Sequence, residues 1–110
     1  MEVKFDFFDK TAIADIVHDR FLDVATIHWD EINNTITMSY FEDCCGDVCV
    51  GKITIQHVID LIFQDTEKIQ YYDLNYINWI SDAKKIAMIT NEPLLLEILV
   101  SEFEMTIEIY

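Results

Sequence analysis

Residues 25–40 read Ala25-Thr26-Ile27-His28-Trp29-Asp30-Glu31-Ile32-Asn33-Asn34-Thr35-Ile36-Thr37-Met38-Ser39-Tyr40, and this stretch decides the fold class. Ala25, Ile27 and Trp29 alternate with Thr26, His28 and Asp30. Ile36, Met38 and Tyr40 alternate with Thr35, Thr37 and Ser39. A period of two puts successive side chains on opposite faces of a strand, so each run has one face to cover. Asn33-Asn34 separates the runs, and asparagine takes positive φ at low cost, so the two strands join in a hairpin.

Working outward, the upstream segment 11–22 changes period. Ile13, Ile16, Val17 and Phe21 recur at spacings of three and four, which predicts a helix with one apolar stripe. Asp9 or Thr11 can accept from the unpaired amides at its start. Downstream, Glu42-Asp43-Cys44-Cys45-Gly46-Asp47 is a loop, followed by an extended run over 48–56 with a phase break near Gly51 that a bulge would explain. Residues 57–63 are read as continuing strand, and 70–80 as an aromatic extended stretch. Ser81-Asp82-Ala83-Lys84 is a turn before the strand at 86–90, and Asn91-Glu92-Pro93 closes that strand. Leu94, Leu96, Ile98 and Val100 then share a face, and Phe103, Met105, Ile107 and Ile109 share another, with Glu104, Thr106 and Glu108 turned outward. The expected fold is α+β: an N-terminal helix packed on a strongly curled, mainly antiparallel sheet of about six or seven strands, within a single domain over 1–110.

The chain has 110 residues, with 7 basic against 21 acidic side chains and a net charge of −14, yet 52% of it is hydrophobic. High charge without hydrophobic residues gives disorder, and that combination is absent here. The negative field argues against nucleic acid and against anionic membrane surfaces as partners. Met1-Glu2-Val3-Lys4 lacks the basic and apolar regions of a secretory signal, and no run approaches the length of a membrane span. Three cysteines crowded into one segment leave an odd number and no long loop to close. These features predict a cytoplasmic protein with reduced thiols.

Cys44-Cys45-x-x-x-Cys49, with His57 eight residues on, is the one zinc-like grouping. Adjacent cysteines cannot easily both turn to one ion, and the usual gap between paired ligands is missing, so ordinary thiols are the preferred reading. A cysteine nucleophile would need a placed base and an oxyanion donor, and the pattern supplies only His57 as a base. His18 and His28 belong to no ligand-like cluster. Gly46 and Gly51 are the only glycines, too few for a phosphate loop. No cofactor or metal is expected. The candidate binding residues are the loop acids Glu42, Asp43 and Asp47 and the aromatics Tyr71, Tyr72, Tyr76 and Trp79. Acids on so negative a chain suit an electropositive partner, and aromatics bury much area with little loss of rotamer freedom.

The stretch from Phe21 to Asp30, running into Thr35-Ile36-Thr37-Met38, carries His18-Asp19 just upstream and a Val24-x-x-Ile27 segment. In this it resembles small bacterial immunity-type domains of toxin systems. The resemblance continues in pattern through Lys52-Ile53-Thr54-Ile55, Leu94–Val100 and Met105–Ile109. It implies a role, toxin neutralisation, and no catalytic residues. The expected function is therefore non-enzymatic protein binding, with an electropositive protein such as a toxin as partner. Two other readings stand beside it. One is a small ligand-binding module or enzyme with a pocket between helix and sheet. The other is a homodimer or larger homo-oligomer joined through an exposed final strand.

Overall fold

The computed structural model describes residues Met1–Tyr110. Its strands are β1 (Glu2–Phe5), β2 (Arg20–Asp23), β3 (His28–Asp30), β4 (Thr35–Phe41), β5 (Cys49–Ile55), β6 (Val58–Gln64), β7 (Tyr71–Ile80), β8 (Lys85–Thr90), β9 (Leu95–Val100) and β10 (Met105–Ile109). One α-helix, α1 (Lys10–Val17), lies between β1 and β2, and a single 3-10 turn spans Val24–Thr26.

The helix starts where Asp9 caps it, its carboxylate accepting from the Ala12 amide at 3.1 Å. It ends sooner than the apolar spacing predicts. Asp19 takes a positive φ of 61°, which reverses the chain, and Phe21 passes into β2 instead of a further helical turn. Asp tolerates that conformation better than most residues. Ile13 and Val17 are fully buried, and the helix packs against β7.

The hairpin is present as β3 and β4, with His28 opposite Thr37 and Asp30 opposite Thr35. Asp30 builds its turn, accepting from the amides of Ile32 and Asn33 and from the Asn33 side chain at 2.7 Å. Asn34 supplies the positive φ. The first arm is shorter than the alternation implies. Asp23 accepts from the Ala25 amide at 2.9 Å, and the Thr26 hydroxyl donates to the Asp23 carbonyl at 2.6 Å. These local bonds draw 24–26 into the 3-10 turn. The Thr26 hydroxyl oxygen also accepts from the Ser39 amide at 2.9 Å, taking the place of a ladder bond. Thus β2 and β3 flank β4 as one interrupted strand.

Every strand pair is antiparallel, in the order β1-β10-β5-β4-β2-β7-β8-β9-β6, with β3 beside β4. The expected α+β layout is corrected accordingly. The protein is mostly antiparallel sheet, 54% strand and 10% helix, with one α-helix and with ten strands in place of six or seven. Two strands that the sequence reading left out, β1 and β2, are four residues each, too short for alternation to register as a period. The bulge expected near Gly51 is there: Tyr40 faces Gly51 and Phe41 faces Cys49, leaving Val50 extra. The expectation of an exposed final edge strand is corrected, since β10 lies between β1 and β5.

β5 and β6 are joined by Gln56 and His57 alone, although they stand six places apart in the order. Six spacings across a flat sheet are about 29 Å, whereas three Cα steps reach at most about 11 Å. The two flanks of the sheet therefore face each other. Ile53 and Ile55 of one flank and Val58, Leu96 and Ile98 of the other belong to one buried cluster. His57 makes the junction with a φ of 58°. No helix is long and apolar enough to cross a membrane.

Candidate functional site

The segment between β4 and β5 is closed at its base by the Glu42 amide donating to the Val48 carbonyl at 3.0 Å. Inside it, one oxygen of Asp43 accepts from the amides of Cys45 and Asp47, at 3.2 and 3.1 Å. Gly46 has a φ of 74° and lies against the ring of Tyr71, with no room for a Cβ. Tyr71 also meets Phe41 edge-on, with ring centroids 6.0 Å apart. The loop is thus seated on an aromatic step made by the ends of β4 and β7.

Four of the seven candidate residues meet here. Glu42 and Asp47 are exposed, and Asp43 and Tyr71 are half-buried. Loss of solvent, then the negative charge of Asp23, Cys45, Asp47 and Asp43, pushes the Tyr71 phenol above its ordinary value. The Cys45 thiol is pushed up as well, first by its hydrogen bond with Cys44 and further by Asp43 and Asp47.

The other three lie elsewhere. Tyr72 is fully buried; its hydroxyl donates to Asp65 and accepts from the Ile69 amide. It pins the 65–70 connection from inside, and desolvation followed by the Asp65 hydrogen bond raises its pKa. Tyr76 lies under the Lys10 ammonium, 5.0 Å from the ring centroid. Trp79 packs edge-on against Phe103, with centroids 5.3 Å apart, beside the core. Trp79 is eight residues beyond Tyr71 on β7, about 26 Å along a strand, so these aromatics form no single patch.

The zinc-like grouping is taken apart. Cys49 opens β5 and His57 follows its other end, while the Cys49 sulfur donates to the Gly51 carbonyl at 3.6 Å. His57 Nε2 faces Glu104 at 3.1 Å and Glu102 at 3.4 Å. No three His, Cys, Asp or Glu side chains come together in a metal-holding group. Cys44 and Cys45 do bring their sulfurs to 3.5 Å of each other. The loop turns tightly enough to put both on one side, and adjacency in sequence carries no sign of that.

Two concavities mark the surface. One, of about 450 Å³, lies beside His57, Asn34 and Ser101 at the β5–β6 junction. The other, of about 300 Å³, is the polar outer face of β1, β10 and β5, with Lys4, Lys52, Glu104 and Glu108 among its residues. Neither lies between helix and sheet. The His57 pair with Glu104 spans 47 residues, so no sequence motif could have announced it.

No protein-family model and no curated protein matches the chain. Among solved structures it is similar to an uncharacterized protein from Neisseria gonorrhoeae. The TM-score is 0.54 and the identity 14%, and the alignment covers 96% of each chain. At that identity the likeness is one of fold.

Proposed function

We propose that this domain is a non-enzymatic protein-binding module that presents the Glu42–Asp47 loop and Tyr71 to an electropositive partner. The observation that carries the reading is the seating of the acidic 42–47 loop on the half-buried Tyr71 ring, with Asp43 and Asp47 close enough to raise its phenol pKa, on a chain of net charge −14. Exposed carboxylates around a desolvated aromatic combine long-range attraction with a surface that gains from being covered. The partner class is a basic protein, and the resemblance to immunity-type domains narrows it to a toxin whose basic substrate groove the loop would occupy. We place the encounter in the cytoplasm, where the three thiols stay reduced.

The test is capture from a native lysate, followed by titration of the purified partner at about 50 and about 200 mM salt. The association rate should fall several-fold with salt, and fall again in the Glu42→Gln/Asp47→Asn variant, which removes charge while keeping side-chain shape. Recovery of no protein, or of one whose association ignores both salt and the substitutions, overturns the reading.

A further inference from the structure

We propose that Cys44 and Cys45 form a vicinal dithiol, a covalent modification site that reacts as a unit with small neutral or cationic disulfides and closes to an intramolecular disulfide. Successive side chains of an extended chain point to opposite sides, but here the sulfurs are 3.5 Å apart and both residues are exposed. The backbone holds them so. Asp43 gathers the amides of Cys45 and Asp47 onto one oxygen, and Gly46 turns through its left-handed conformation against Tyr71. The third thiol is directed elsewhere, since the Cys49 sulfur donates to the Gly51 carbonyl.

The two sulfurs are equivalent partners in the exchange, being exposed and in contact. Either sulfur can donate in the Cys44–Cys45 contact, so either thiol can open the exchange and the other resolves it. With Cys44 first, its sulfur gives its proton to solvent and attacks one sulfur of R–S–S–R. A Cys44–S–S–R bond forms, the R–S–S–R bond breaks, and one R–S⁻ leaves to take up a proton. Cys45 then loses its proton, attacks the Cys44 sulfur and expels the second R–S⁻. Two protein thiols are oxidised by two electrons, and the small disulfide is reduced to two thiols. Glu42, Asp43 and Asp47 set the reagent class: their field repels an anionic disulfide such as glutathione disulfide and draws in a cationic one such as cystamine.

The experiment treats the reduced full chain with cystamine or glutathione disulfide and follows intact mass, thiol count and a peptide map. The expected product has lost two hydrogens and carries no adduct, with the three free thiols reduced to the Cys49 thiol alone. Cystamine should react about tenfold faster than glutathione disulfide at low salt, and the gap should narrow as salt rises. Cys45→Ser should stop at a stable mixed disulfide on Cys44, Cys44→Ser should stop at one on Cys45, and Cys49→Ser should behave as the parent does. A persistent adduct on the parent chain, a disulfide mapped to Cys49, or glutathione disulfide reacting as fast as cystamine overturns the proposal. These readouts are independent of partner binding, so the binding reading and the dithiol fail separately.

Discussion

Three tyrosines show how much a single position decides. Tyr71 and Tyr72 are adjacent on β7, yet one edges an acidic loop while the other is sealed in the interior. Tyr40 crosses the narrow space above Gly51, and its hydroxyl donates to the Glu108 carbonyl at 2.9 Å. Desolvation is the main cause that raises its pKa, with the Cys49 and Tyr110 charges adding and Arg20 opposing. Tyr71 and Tyr72 are raised too. A group whose folded pKa is raised keeps its proton in the folded state after the unfolded chain has lost it. The folded state then binds more protons, and stability falls as pH rises. The stabilisation is complete below the unfolded phenol value of about 10 and is lost as pH climbs through the folded one. Urea melts at about pH 8 and about pH 11 should show a loss for the parent and a smaller loss for Tyr40→Phe. Equal losses would mean that Tyr40 ionises as freely folded as unfolded.

At the scale of an element, β10 is the strand whose alternation reads most directly into structure. Met105 and Ile107 are fully buried, and Ile107 sits between Val3 of β1 and Ile53 of β5. Ile107→Ala removes buried carbon between two neighbours that cannot both close in, at a cost of about 2–5 kcal/mol. Glu108 faces outward, between Glu2 on one side and Lys52 on the other, with its carboxylate 3.4 Å from the Lys52 ammonium. Glu108→Gln loses a partly exposed ion pair and relieves a like-charge neighbour, so it should stay within about 0.5 kcal/mol of the parent. Denaturant melts of both variants check the pair. If Glu108→Gln is the costlier change, the inward and outward faces have been exchanged.

Over the whole molecule, 21 acids face 7 bases on a body measuring 33 × 32 × 26 Å. At about 0.01 M salt the screening length is about 30 Å, comparable to the molecule itself, so nearly every carboxylate feels the others. Unfolding relieves that repulsion by spreading the charges. Raising sodium chloride from about 0.01 to about 0.1 M shortens the range to about 10 Å and should move the urea midpoint upward. An unchanged or lower midpoint would show that local pairs such as Lys85 with Glu97 at 3.3 Å already balance the charge.

What the sequence determined by itself were features whose cause lies within a few residues. The β3–β4 hairpin, the bulge opposite Tyr40, the helix cap and the two faces of β10 each arise from neighbouring side chains, backbone preferences or a period of two. The acidic loop was legible for the same reason, since Glu42, Asp43, Gly46 and Asp47 disfavour a strand wherever they occur together. Tertiary structure alone decided the rest. The short strands β1 and β2 exist because β10 and β4 offer them ladders, not because four residues prefer to be extended. The order that carries β6 away from β5, and the facing of the two flanks, come from covering one apolar cluster whose members are distant in sequence. Tyr71 reached the loop because Gly46 leaves space for its ring, and Tyr72, one residue on, was turned into the core. Burial is a property of what lies opposite a side chain, and one strand read alone does not contain its opposite.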